Sequence, residues 1–272
     1  MKNIKNYAFP STTKEAVALL LNKKYKAMAL AGGTLVAKTL PDTVETYLDI
    51  KNVPIKGIKL QGGNLVIGAG ASFDEIDRDR LCRGWAGGVI SAAAAKCSSQ
   101  LIRNMATIGG NIARPHSFNI FPVVLLGLDA KVRLAVRSGT RLADLQGLYS
   151  SGLGLRPGLD SLITEVIIPA KTRKWRCEFI KLAKTESSWE SYITLFFAAE
   201  KKGKAVQSRV CVGALSPKPF RALSTEAAIA GGAAPRSCAA AFAGELEAAR
   251  AGDYRSAAAS NLLRRYIEQV LK

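Results

Sequence analysis

Two glycine pairs carry the residues best suited to chemistry in this sequence. Thr107-Ile108-Gly109-Gly110-Asn111 follows Ile102-Arg103-Asn104-Met105-Ala106, and Ala31-Gly32-Gly33-Thr34-Leu35 follows the apolar run Ala27-Met28-Ala29-Leu30. A glycine inside a helix or strand costs about 0.5–1 kcal/mol relative to alanine. Glycine pairs therefore belong where backbone turns at positive φ or comes close to a ligand. With Thr and Asn beside them, these form short loops rich in N–H and hydroxyl donors, the composition of an anion cradle. Two such loops could hold a diphosphate from two sides. Two tight turns between strands would leave the same trace, and the loops alone do not decide between these readings.

Little else in the chain is suited to protein-based catalysis. His116 is the single histidine and, beside Arg114-Pro115, reads as a loop residue. The five cysteines (82, 97, 177, 211 and 238) are odd in number, widely spaced and without a C-x-x-C. That pattern argues against a cluster, a structural zinc or a disulfide framework built from this chain. Gly68-Ala69-Gly70-Ala71-Ser72-Phe73 carries Phe73 where a dinucleotide fingerprint needs its third glycine, and it follows a hairpin strand, so that fold is rejected.

The elements that must position the two loops can be read from periodicity and caps. Thr12 and Glu15 predict a capping box opening a helix over 12–23, and Ala16, Leu19 and Leu20 give it an apolar face. Strands are expected at 27–30 and 46–50, with a hairpin over 56–69 turning at Gln61-Gly62-Gly63-Asn64. Ser72 caps a helix at 73–79, residues 84–97 predict one close-packed helix, and Phe118–Leu128 reads as core. Strands at 131–136 and 163–168 close a first unit, with a loop at 152–158 between them. The basic stretch Lys171–Arg176 reads as a linker. Strands near 177–184, 191–200 and 206–213, then helices over 224–230, 235–250 and 255–271, suggest a second α+β unit.

Composition bounds the remaining possibilities. The 272 residues leave room for two or three domains. The longest uncharged stretches, 60–73 and 115–128, are too short to span a bilayer. The first residues lack the apolar core of a signal peptide, and a cytoplasmic address is expected. Net charge is +18, a statement about partners rather than about fold. The basic residues are scattered without interleaved aromatics, so nucleic acid is the weak reading, while an acidic protein partner and adaptation to the host cell both stay open.

Taken together, the motifs resemble the FAD-binding (medium) subunits of molybdenum hydroxylases of the carbon monoxide dehydrogenase and xanthine dehydrogenase type. The resemblance runs along nearly the whole chain. It includes Tyr7-x-Phe9-Pro10, Ala31-Gly32-Gly33-Thr34, Ile102-Arg103-Asn104 through Ala113, and Leu128-Asp129-Ala130. It continues through Ile163-Thr164-Glu165-Val166, Phe179-x-Lys181 and Val212-Gly213-Ala214-x-Ser216-Pro217-Lys218-Pro219-x-Arg221. The resemblance implies an α+β architecture: a p-cresol-methylhydroxylase-type FAD-binding domain over 1–170, in subdomains of about 1–52 and 53–170, followed by a carbon-monoxide-dehydrogenase-flavoprotein-like α+β domain over 171–272.

It also implies the site and the work done there. Ala31, Gly32, Gly33, Thr34 and Leu35 would hold the FAD diphosphate from one side. Thr107, Ile108, Gly109, Gly110 and Asn111 would hold it from the other, with Ile163 and Lys181 near the cofactor. The implied function is electron transfer from a partner 2Fe-2S subunit, through FAD, to NAD or another external acceptor. A further partner subunit would carry the molybdopterin cofactor. A flavin-depleted structural or assembly subunit is the alternative. Departures from the family pattern fall at Leu35, His116-Ser117, Ile120, Lys184-Thr185 and Trp189. Ile120, standing where the family commonly has an aspartate, predicts weaker retention of FAD.

Overall fold

Local signals account for most elements of the computed structural model, which describes residues 4–36, 42–149, 154–185, 188, 190–202 and 205–271. Trp189, the first three residues and Gly152-Leu153 of the expected loop lie outside the described residues. Strands β1 (Asn6–Ala8), β2 (Ala27–Leu30) and β3 (Thr46–Asp49) form a parallel sheet in the order β1-β3-β2. Helix α1 (Thr13–Leu21) buries Ala16, Val17 and Leu20. The Thr12 side chain caps it as expected, but the Glu15 carboxylate accepts from the Ser11 N–H at 2.8 Å, so the reciprocal half of the box closes one residue earlier.

A second sheet is antiparallel, in the order β4-β5-β8-β6-β7. Its strands are β4 (Ile58–Gln61), β5 (Asn64–Gly68), β6 (Lys131–Val136), β7 (Gly139–Asp144) and β8 (Leu162–Ile168). The β4–β5 turn has Gly62 at φ 56° and Gly63 at φ 76°, a pair of left-handed residues that matches strand twist in a two-residue hairpin. Strand β7 was not expected. It is a largely exposed edge strand, and its sequence Gly-Thr-Arg-Leu-Ala-Asp carries no buried run to announce it.

Between β5 and β6 lies a cluster of short helices. They are α2 (Phe73–Arg78), α3 (Arg80–Arg83), α4 (Val89–Ala95), α5 (Gln100–Met105), α6 (Ile108–Ala113) and α7 (Phe121–Gly127). Ser72 and Glu75 form the full capping box of α2. The single helix expected over 84–97 is broken, because Gly87 (φ 68°) and Gly88 (φ 81°) are left-handed and α4 starts only after them. Every residue of α7 is buried, and helix α8 (Leu145–Tyr149) follows β7.

The C-terminal sheet, β12-β11-β10-β9, is antiparallel. It comprises β9 (Arg176–Leu182), β10 (Ile193–Lys202), β11 (Ala205–Gly213) and β12 (Phe220–Arg221), followed by α9 (Leu223–Ala230), α10 (Pro235–Ala248) and α11 (Asp253–Val270). The two-residue period of a strand lets β10 serve two cores. Leu195 and Phe197 pack with Phe242, Leu246 and Leu263 of α10 and α11, whereas Phe196 and Ala198 face the core that contains α7. Gly127 makes that seam possible: a Cβ there would stand 2.1 Å from Phe196 Cδ1.

The stretch 171–176 is not a loose linker. Thr172 and Trp175 are buried, Trp85 Nε1 donates to Thr172 Oγ1 at 3.0 Å, and Trp175 Nε1 donates to Glu200 Oε2 at 3.0 Å. Asp129, left-handed at φ 52°, fastens the same seam. Its carboxylate accepts from Arg209 Nε at 2.8 Å, from Arg209 Nη2 at 2.9 Å and from Lys171 Nζ at 2.6 Å. Burial alone would raise the Asp129 carboxyl, but Arg209 and Lys171 outweigh it and hold the group below its ordinary value. Among the described residues no helix is long and apolar enough to cross a membrane.

Candidate functional site

A cavity of about 410 Å³ opens where the parallel sheet, the antiparallel sheet and helices α5 and α6 meet. That volume lies within the range of small-molecule sites. The β2 strand ends at its rim, anchored by Ala29 N–H to Gly158 O at 2.8 Å and by Ile50 N–H to Leu30 O at 3.0 Å. The turn beyond β2 then lines the cavity with Ala31, Gly32, Gly33, Thr34 and Leu35. Gly33 alone in this turn is left-handed, at φ 69°. Gly32 is fixed by contact instead: an added Cβ would stand 1.7 Å from Met105 O, so this turn presses on the end of α5.

The second glycine pair is not a loop. Thr107 is the N-cap of α6, its Oγ1 accepting from Gly110 N–H at 3.2 Å. The Ile108 and Gly109 N–H groups donate to Ala71 O (3.0 Å) and Ala69 O (2.9 Å), and that of Asn111 donates to Thr107 O at 3.0 Å. The backbone donors expected to face an anion at 108–111 are therefore occupied within the fold. Gly109 packs too close to Ala69 for any side chain, with 2.7 Å left for a Cβ. Neither Gly109 nor Gly110 has positive φ.

The open donors are on the first turn. Among the described residues, no acceptor is found for the N–H groups of Gly32, Gly33 or Thr34. Three successive N–H groups around a left-handed residue make a nest suited to an anion. On the same cavity lining, Asn111 Oδ1 is buried without a hydrogen-bond partner, a position that favours a ligand donor. The rest of the wall is mostly apolar, including Ile50, Ile55, Phe73, Ile102, Leu162 and Ile163. These features fit a dinucleotide: open backbone donors for a diphosphate, and apolar surface for flat rings.

Of the residues picked out from the sequence, the cavity brings together Ala31, Gly32, Gly33, Thr34, Leu35, Thr107, Gly109, Gly110, Asn111 and Ile163. Ile108 is fully buried in the core and does not reach the cavity. Lys181 is also outside the wall. Its ammonium donates to Ser188 O at 2.5 Å and to Lys96 O at 3.3 Å, tying β9 to the segment that ends α4. Burial lowers the Lys181 ammonium, with the neighbouring Lys96 adding to the effect.

Other wall residues gave little or no advance signal. Cys97 and Ser98 follow Lys96 onto the wall. Burial pushes the Cys97 thiol up to about 12, despite the nearby Lys181 and Arg103, so it stays a neutral thiol rather than a nucleophile. Arg114, His116, Phe118 and Asn119 also line the cavity. Asn119 is buried, and its Nδ2 donates to both Asn111 O (2.7 Å) and Arg114 O (2.8 Å). Ile120 is 2% exposed, packs in the core and also lines the cavity, and Asn119 is the buried polar side chain beside it. A lone Asn ahead of the apolar run 120–128 was the one available clue.

The family described as FAD binding domain in molybdopterin dehydrogenase matches residues 2–171. The nicotinate dehydrogenase FAD-subunit of Eubacterium barkeri is 32% identical over 195 residues, 69% of this chain and 65% of that one. The carbon monoxide dehydrogenase medium chain of Hydrogenophaga pseudoflava is 26% identical over 187 residues, 67% of this chain and 65% of that one. The matched stretch thus spans just under two thirds of the length of each relative. A solved structure of carbon monoxide dehydrogenase from Hydrogenophaga pseudoflava, lacking the Mo-pyranopterin moiety, superposes with a TM-score of 0.84 at 25% identity, covering 97% of this chain and 96% of that one. The α+β fold is shared over essentially the whole chain, and the match across 2–171 shows that the protein belongs to the family of FAD-binding domains of molybdopterin dehydrogenases.

Proposed function

We propose that this chain is the FAD-carrying electron-transfer subunit of a molybdenum hydroxylase-type complex. In this reading it receives electrons from a 2Fe-2S partner subunit and delivers them to NAD or another external acceptor, while a separate subunit holds the molybdenum cofactor and oxidises the substrate. The observation that carries the cofactor assignment is the row of open N–H groups at Gly32, Gly33 and Thr34 on residues that line the same cavity as Asn111. The partners rest on the relatives, which are FAD or medium subunits of dehydrogenases. The reading divides the chain near residue 170, supported by the end of the family match at 171 and by the change of core within the C-terminal sheet.

FAD supplies the redox chemistry when bound, because a flavin accepts and releases electrons singly or in pairs. The chain's own residues bind and shield. The N–H groups of Gly32, Gly33 and Thr34 would donate to the diphosphate, with the Thr34 hydroxyl beside them. Asn111 Oδ1 would accept from a cofactor hydroxyl or ring N–H. Arg114, a cation on the wall, would offset part of the diphosphate charge. Ile50, Ile55, Phe73, Ile102 and Ile163 would keep water from the rings, which strengthens those polar contacts.

Isolation of the native complex, with flavin, iron and molybdenum analysis, tests the reading. FAD, iron and molybdenum should co-elute with this chain in fixed ratio. A chain that carries FAD but elutes without iron and molybdenum contradicts the assignment to a complex. Co-elution of both metals without flavin supports a structural subunit instead.

A further inference from the structure

We propose that the stacked pair His116–Phe118 is the cavity's holding site for a flat heteroaromatic ring, either the adenine or the isoalloxazine of the cofactor; this rests on the FAD reading above. The two rings lie with centroids 3.8 Å apart and planes inclined by 30°, and both line the cavity. Each is only partly buried. A pair of aromatic side chains placed on a cavity wall rather than in a core is a stacking surface, since every nucleobase and flavin presents a π face.

The turn that carries the pair is built to hold its shape. Asn119 donates from one amide nitrogen to the carbonyls of Asn111 and Arg114, closing the chain from 111 to 119 into a loop. Its own N–H donates to His116 O at 2.9 Å, which fixes the backbone between the two rings. A carboxylate in place of Asn119 would set two acceptors against two carbonyls, so the amide is required by the closure itself. The same closure joins the ring pair to Asn111, whose Oδ1 lacks a partner. One rigid turn therefore presents a polar acceptor and a stacking surface to the same volume.

Fluorescence titration of the full chain with FAD, FMN and ADP tests the inference, using wild type, His116→Ala, Phe118→Ala and His116→Phe, each checked by thermal melt. Base–aromatic stacking predicts FAD binding weaker by about ten- to a hundredfold in the two alanine variants. His116→Phe keeps a flat ring and should stay within about threefold of wild type. If ADP is weakened with FAD and FMN is not, the pair holds adenine; if FMN is weakened and ADP is not, it holds isoalloxazine. Alanine variants that bind all three ligands like wild type overturn the inference, as does a His116→Phe loss equal to that of His116→Ala. A folded wild type that binds no FAD overturns the cofactor reading, and this inference with it.

Discussion

Replacing Gly110 by alanine should separate cofactor capture from folding. Gly110 is exposed on α6 and lines the cavity, and its backbone is helical. An added Cβ would meet only Thr107 Oγ1, at 2.9 Å. Alanine is favoured over glycine in a helix by about 0.5–1 kcal/mol. Displacing the cap oxygen costs up to about 1 kcal/mol. These terms nearly cancel, so the melting temperature should move by no more than about 4 °C. The new methyl stands on the cavity wall beside Asn111, where it takes space from the ligand and separates one polar pair. Loss of a hydrogen bond of about 0.5–1.5 kcal/mol, together with the lost contact, should weaken FAD binding about tenfold or more. Gly32→Ala is the contrasting case. Its Cβ would meet the Met105 carbonyl at 1.7 Å, and backbone cannot yield as a side chain can, so folding should fall by about 3 kcal/mol or more. Thermal melts and FAD titrations of both variants give the answer. A Gly110→Ala chain that binds FAD like wild type, or a stable Gly32→Ala chain, would refute this account of the two glycines.

Other outcomes follow from the seam and the charge. Asp129→Asn keeps a residue tolerant of φ 52° but removes the charge facing Arg209 and Lys171, and should cost about 2 kcal/mol at neutral pH, between exposed and buried ion pairs. Because the folded Asp129 carboxyl is held below its ordinary value, its stabilisation is present above the unfolded carboxyl value of about 3.9 and fades as pH falls through the folded one. The gap between wild type and variant should therefore close in acid melts below about pH 4, and a pH-independent gap would refute the ionic account. With a net charge of +18, docking to an acidic partner subunit should weaken as salt rises from about 0.05 to 0.5 M. An assembly equally tight across that range, measured by analytical ultracentrifugation, points to an apolar interface.

The sequence exposed those parts of the fold that local chemistry decides. The β4–β5 hairpin, the Ser72–Glu75 capping box and the strand Ala27–Leu30 are set by residues within a few positions of one another. Strand β7 escaped because an exposed edge strand needs no apolar alternation. The pair Gly109-Gly110 reads in the sequence as a donor-rich loop, whereas its helical conformation depends on Thr107 as cap and on Ala69 and Ala71 as acceptors from a distant segment. Gly32 carried the opposite ambiguity, since its contact is with Met105, far along the chain. The apolar wall was invisible for a similar reason: Ile50, Phe73 and Ile102 resemble any core residue until tertiary packing leaves one face of each on a cavity. Lys181 matched the family motif, yet in this fold its ammonium is occupied by two carbonyls outside the wall.

Titration of the purified, flavin-free chain with FAD, followed by the flavin absorbance and fluorescence, tests the central claim most directly. One FAD should bind per chain, with binding competed by ADP and weakened about tenfold or more in the Gly110→Ala variant. A folded chain that takes up no FAD, or takes it up with the same affinity when the cavity wall is altered at Gly110, contradicts the assignment of this cavity as the cofactor site.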